Sequence, residues 1–248
     1  MFAAGSVPVP YVIDPMDELL HRETLWPPHA HPTHELLWNL RGASRATVGA
    51  RTWVITPSIG LWLPAGTVHT AHGPAGTWYR TAQFGVHAVS PLAPGPVAIE
   101  VTELLRLLLD RLTEADLPED SRALTERMVL DVLAPAPHEV AVRMPQSDLL
   151  APVAAVVGQN PADQRGLAEW SAELGVSPRT LTRAIRAETG LSFGGWQIGV
   201  RVQRAVLLLA AGESVETVAE AVGYRSASAF GAAFRRATGL TPGAFRPS

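Results

Sequence analysis

GVSPRTLTRAIRAETGLS, Gly175 to Ser192, and GYRSASAFGAAFRRATGLT, Gly223 to Thr241, are one pattern written twice. Gly175 falls on Gly223, Leu181 on Phe230, Ile185 on Phe234, and Thr189-Gly190-Leu191 on Thr238-Gly239-Leu240, with the offset growing from 48 to 49. A small residue stands four before each leading glycine, Ser171 in the first copy and Ala219 in the second. Two helices that cross closely need a small side chain at the crossing, and the tight turn between them needs a residue that accepts positive φ. Ser177 then caps a helix opened by Pro178. Leu181 and Ile185, one turn apart, face inward, which leaves Arg179, Thr182, Arg183 and Arg186 on the other face. The pattern predicts two helix-turn-helix units, the first turns of each second helix entering a DNA major groove. Between the copies, SFGGWQIGVRVQRAVLLLAAG reads as one helix from Ser192 to a glycine stop at Gly212. At about 1.5 Å per residue it spans roughly 30 Å, near the ~34 Å turn of B-DNA.

Residues 149–246 resemble the AraC/XylS family of bacterial transcription regulators. The matching residues are LAEWSAELGVSPRTLTRAIRAETGLSF, the Trp196 and Arg201 of GGWQIGVR, LLLAAGESVETVAEAVGY, and SASAFGAAFRRATGLTPGAFR. The resemblance implies two helix-turn-helix units on a central helix, double-stranded promoter DNA as partner, RNA polymerase as a further partner, and control by a separate N-terminal domain. Candidate DNA contacts are Arg179, Thr180, Thr182, Arg183 and Arg186 in the first unit and Arg225, Ser226 and Ser228 in the second. The chain departs from the family at Ala232, where a basic or long polar residue is common. Its second groove-facing set, Arg225, Ala227, Ser228, Gly231 and Ala232, is mostly small. Asymmetric readout is expected: the first unit specifies bases, the second holds phosphates and thymine methyls. Arg201, Arg204 and Arg235 stay open between phosphate contacts and salt bridges.

Charge distribution agrees with such a division. The 248 residues carry a net charge of −3, which argues against a uniformly basic nucleic-acid binder. Residues 1–144 hold 10 arginines and 15 acids; residues 145–248 hold 10 and 8. All eight histidines lie at or before His138. Lysine is absent, so every cationic contact falls to arginine, although a GC-rich genome gives the same composition. Cysteine is absent too, which excludes thiolate metal sites. No secretory signal or apolar membrane span is read, and the cytoplasm is the expected compartment.

Upstream, HAHPTHELLWNLRG, His29 to Gly42, places three histidines and a glutamate within seven residues. His29 and His31 are two apart and share a strand face, as does Glu35 if the strand continues past Pro32. A turn at Pro64–Gly66 can swing His69 back toward them. Three imidazoles and a carboxylate suit a divalent transition metal with open positions. The stretch resembles the cupin motifs over about residues 26–88, with Ser58 where a glycine is usual and Gly60 two residues off. That resemblance implies a double-stranded β-helix barrel, and it implies metal ligands at His29, His31, Glu35 and His69. His34, in the other register, and His72 are alternates. Trp62 is the aromatic expected to line the effector pocket.

The expected fold is a two-domain α+β chain. An N-terminal arm covers 1–25, a cupin sensor barrel 26–96, a helical dimerisation region 97–134, a linker 135–148 and an all-α double helix-turn-helix domain 149–248. Leu104, Leu105, Leu108 and Leu112 sit at helical spacing, and Leu107 and Leu109 widen the stripe toward burial on two sides. Pro118 is expected as the first residue of a second helix ending at Leu133. The expected function is a DNA-binding regulator, not an enzyme, working as a homodimer and controlled by a metal ion or small effector. A metal-free barrel sensing an apolar effector is the alternative; a metal-dependent cupin enzyme with a DNA-binding appendage is the third reading.

Overall fold

A computed structural model describes residues 11–246. Residues 1–10 of the expected arm lie outside the described residues. The described residues form two units: 11–49 with 55–139, and 50–54 with 140–246. The division at 139/140 falls inside the stretch read as a linker.

The first unit is an antiparallel two-sheet, barrel-like domain. Its strands are β1 (Ile13–Leu19), β2 (Thr24–His29), β3 (His34–Arg41), β4 (Ser44–Val48), β6 (Ile59–Leu63), β7 (His69–Gly73), β8 (Trp78–Phe84) and β9 (Val97–Glu100), with β5 (Arg51–Ile55) falling mainly to the second unit. One sheet runs β1-β8-β3-β6-β9; β7 pairs with β2 on one side and β4 on the other. Alternation decides which residues face where. Leu36 pairs with Trp62 and Ala82, so these three share a face, and they join Ile13, Trp38 and Phe84 in a core completed by helices α1 (Glu103–Arg111) and α2 (Glu119–Val132). Glu35, Leu63 and Gln83 share the opposite face.

The structure revises three expectations in this unit. The stretch read as an arm supplies β1, whose seven residues pair along β8 from Ile13–Phe84 to Leu19–Trp78. Pro15 is tolerated there because β1 is a sheet edge. The proline-rich exit from the barrel ends in another strand: VAIE, 97–100, pairs with β6, so the sheet runs past residue 96 into the region read as helical. Pro118 caps α2 from outside and Glu119 begins it. Helix α1 buries Leu105, Leu108 and Leu109 but leaves Leu104 49% and Leu107 52% exposed, so its second apolar face is uncovered in the single chain.

In the second unit, β10 (Ala141–Arg143) pairs with β5 and lies along α6 (Phe193–Ala210). A Cβ added at Gly199 would stand 2.8 Å from Val142 Cγ2, so the glycine permits the close approach of strand to helix. The stretch read as a linker is thus partly a structural strand of this unit. The remaining helices are α3 (Ala151–Gln159), α4 (Leu167–Glu173), α5 (Pro178–Thr189), α7 (Val215–Ala221) and α8 (Ala227–Thr238). Leu181, Ile185, Trp170 and Trp196 are fully buried together with Val142, Leu150 and Val153. At about 1.5–3 kcal/mol per buried large apolar side chain, this cluster fixes α4 and α5 against α6.

Candidate functional site

The helix-turn-helix geometry follows from the repeat. Gly175 has φ +65 and Gly223 φ +81, the left-handed turn each unit needs. At Gly223 a side chain would also collide with Ala162 and Gln164 at 3.0 Å or less. Ser171 and Ala219 are buried at the crossings. Ser177 Oγ accepts from the Thr180 amide at 3.1 Å and opens α5; Ser226 Oγ accepts from Ala229 at 3.2 Å and opens α8. Central helix α6 starts at the Ser192 cap and is followed by Gly212 at φ +95. Pro178, Arg179, Thr182, Arg183 and Arg186 line one open cleft on α5. The three arginines are exposed, and among the described residues none makes an ion pair or hydrogen bond. Thr180 and Ser226 spend their side chains at caps. On α8 the exposed face carries Ser228 and Ala232, with Arg225 exposed just before it. Arg201 instead donates to the carbonyls of Pro161 and Asp163, at 2.9 Å each, which is a structural use.

In the first unit, chain geometry gathers the histidines. Pro27 and Pro28 have no amide hydrogen, and the β2–β7 ladder shifts register there before resuming at the His29–His69 pair. The Pro64–Thr67 turn closes with a 3.1 Å hydrogen bond and has Gly66 at φ +77; the Gly66 amide donates to His31 O at 2.8 Å. His29, His31 and His69 offer ligand atoms within 4.8 Å of one another. Glu35 Oε2 lies 3.4 Å from His31 Nε2 and 3.5 Å from His69 Nε2.

The protonation pattern of this cluster suits a cation. His29 Nδ1 lies 2.7 Å from Pro27 O and His69 Nδ1 lies 3.0 Å from Thr67 O. A carbonyl only accepts, so each Nδ1 carries a hydrogen, which leaves Nε2 as the ring atom able to ligate. Burial, together with the other two histidines, outweighs the Thr67 carbonyl and lowers the His69 pKa to about 4. Burial and then His29 lower that of His31. Burial pushes Glu35 up to about 8, against the 2.9 Å hydrogen bond that Gln83 donates to Oε1. Oε2 is buried without a hydrogen-bond partner. Three imidazoles around the buried Glu35 side chain, one of whose oxygens is unpartnered, form a donor set that fits a divalent transition metal. Thr33 Oγ1 donates to Gln83 Oε1 and so holds the Gln83 amide toward Glu35.

A cavity of about 390 Å³ opens beside the cluster, lined by residues including Met16, Glu18, Trp26, Tyr79 and Thr81 as well as Glu35 and Gln83. Trp62 does not line it. Its register with Leu36 turns it to the helix-covered face, where it stacks on His34 at 5.4 Å and meets Phe84 edge-on at 4.8 Å. His34 follows the same parity and accepts from the Ala65 amide at 3.0 Å. His72 is engaged by Glu23 at 2.6 Å and Arg45 at 3.2 Å. The cavity's aromatic wall is Trp26 stacked on Tyr79, ring centroids 4.9 Å apart.

Comparison with known proteins agrees with both halves. An AraC-like ligand binding domain matches residues 19–130 and a helix-turn-helix domain matches residues 170–248. The chain belongs to the AraC family. It is similar to the HTH-type transcriptional regulator NimR of Escherichia coli, 27% identical over 88% of this chain and 81% of that protein. It is also similar to the HTH-type transcriptional regulator RipA of Corynebacterium glutamicum, 40% identical over 52% of this chain but only 35% of that protein. A crystal structure of apo ToxT from Vibrio cholerae aligns over 94% of this chain and 95% of that one, at 12% identity and a TM-score of 0.38. This AraC-family chain is a DNA-binding transcription regulator with an N-terminal ligand-binding unit. Among the described residues no helix is long and apolar enough to cross a membrane.

Sequence reading of the AraC-family sensor unit named the four clustered residues but missed Gln83, Trp26, Tyr79 and Thr81. The signal was available in WYRTAQF. Tyr79, Thr81 and Gln83 alternate along β8, and Gln83 pairs with Glu35; knowing one of that face gives the rest.

Proposed function

We propose that this regulator binds promoter DNA sequence-specifically and is controlled by a divalent transition metal held by His29, His31, Glu35 and His69, or by a small effector bound beside that metal. The observation that carries the reading is the unpartnered Glu35 Oε2 facing His31 and His69. Bound there, the metal supplies a positive charge that keeps the buried carboxylate ionised. His29 and His69 offer it lone pairs oriented by the Pro27 and Thr67 carbonyls, and Gln83 orients Glu35. Control of DNA binding requires the effector to bind the DNA-competent and incompetent arrangements unequally; a tenfold difference is about 1.4 kcal/mol.

On DNA, Arg179, Arg183 and Arg186 of α5 read base edges, while α8, carrying Ser228 and Ala232, mainly holds backbone. Two chains pair through the faces of α1 and α2 that expose Leu104, Leu107, Leu124 and Met128, which doubles the DNA contacts. RNA polymerase is the further partner at the promoter.

Elemental analysis of protein purified without a histidine tag tests the metal. One metal per chain is expected, lost in His31→Ala, with DNA affinity of the metal-free form largely retained. Full metal content in His31→Ala would refute the ligand set. A second reading, a metal-free pocket for an apolar effector, draws on the Trp26–Tyr79 wall; it predicts protein without metal that still responds to a ligand.

A further inference from the structure

The 390 Å³ cavity has a composition of its own, apart from the histidines. One wall is aromatic, the stacked Trp26 and Tyr79, with Met16 adding apolar surface. The acidic side chains beside it are Glu35, buried in the depth, and the exposed Glu18 and Asp17 on edge strand β1. Among the described residues no arginine lines it. Glu18 pairs with Tyr79 and Met16 with Thr81 in the β1–β8 register, so Glu18, Met16, Tyr79 and Thr81 all face the same way as Gln83 and Glu35. Asp17 accepts from Trp78 Nε1 at 2.9 Å and is already in use, whereas Glu18 is exposed at the mouth with no hydrogen bond among the described residues. Thr81 is 8% exposed, and its Oγ1 is buried without a hydrogen-bond partner. A metal on the cluster would satisfy Glu35 Oε2, but the Thr81 hydroxyl would still lack a partner. A buried unpartnered hydroxyl in a cavity wall is costly unless something that enters the cavity completes it.

We propose that the cavity takes an arylalkyl ammonium ligand: a flat apolar body against Trp26 and Tyr79, a protonated amine held by Glu18 at the mouth, and a polar contact to Thr81. The inference rests on the reading above that this cavity is the effector site. An ammonium group has three donors and no acceptor, which matches a mouth that offers acceptors. Its charge is attracted both by the Glu18 carboxylate and by the faces of the aromatic pair. A carboxylate ligand of the same shape meets like charge at Glu18 and, among the described residues, finds no arginine in the wall to pair with.

The test uses the full chain and three probes of similar size: 2-phenylethylamine, 2-phenylethanol and phenylacetate. Binding is followed by calorimetry, first on chelator-stripped protein and then on protein loaded with zinc. The amine is expected to bind about tenfold or more tightly than phenylacetate in stripped protein, with the alcohol between them. Glu18→Gln should remove most of the preference for amine over alcohol and leave the alcohol unchanged. Thr81→Val, which keeps the side chain's shape, should weaken the amine several-fold, and Trp26→Ala should weaken all three probes. Phenylacetate binding as well as the amine in stripped protein, a preference untouched by Glu18→Gln, or binding of none of the probes would each overturn the proposal. Absence of zinc uptake with the amine preference intact supports it and removes only the metal. Zinc uptake without the preference removes this inference and leaves the metal.

Discussion

Replacing Arg183 by alanine separates base reading from backbone holding on α5. Arg183 is exposed, lines the α5 cleft and has no ion pair or hydrogen bond among the described residues. Its removal therefore takes nothing from the fold, and stability should change by no more than about 0.5 kcal/mol. A bidentate arginine–guanine contact contributes about 1–3 kcal/mol of discrimination, or roughly 5- to 160-fold in affinity for the cognate site. Sites would be enriched from a random duplex library with the wild-type protein. Fluorescence anisotropy would then measure both proteins on the best site, on each single-base variant, and over a salt series. The expected result is a loss concentrated at one base position, where the variant no longer distinguishes the four bases. The salt dependence should stay nearly unchanged, because a lost phosphate contact would reduce its slope by about 0.9. A uniform loss on every sequence, together with a slope reduced by about one, would refute base reading and make Arg183 a backbone contact. A binding series in which Ser228→Ala costs more specificity than Arg183→Ala would refute the asymmetry between the two units.

Other perturbations test the sensor unit. Gln83→Leu strands Glu35 Oε1 and the Thr33 hydroxyl; zinc affinity should fall about 10–100-fold, measured by competition with a chromophoric chelator, and unchanged affinity would remove Gln83 from the site. Asp110→Ala leaves the buried Arg80 guanidinium without its ion pair. Chemical denaturation should show a loss of about 3–5 kcal/mol, the cost of an unpaired buried charge, while a change under about 1 kcal/mol would mean that water reaches Arg80. Leu107→Glu, on the exposed face of α1, should shift the protein from dimer to monomer in analytical ultracentrifugation with an unchanged melting temperature; a dimer that persists places the interface elsewhere.

What the amino-acid sequence determined by itself was local and periodic. Two turn glycines at fixed offsets, serine caps and one-turn apolar spacing define a helix-turn-helix through contacts of a few residues, so Ser177, Gly175, Leu181 and Ile185 occupy the places their spacing predicts. The set His29, His31, Glu35 and His69 was legible because a two-residue spacing and a glycine turn are short-range features. Strand pairing was not. Whether Trp62 or Tyr79 faces the cavity depends on parity relative to β3, and that parity is set by a register between strands tens of residues apart. The same holds for β1, β9 and β10, whose short or proline-bearing sequences become strands because β8, β6 and β5 offer unpaired edges. The tertiary structure alone decided which side chains surround the histidines, because in a sheet a shift of one residue exchanges the two faces.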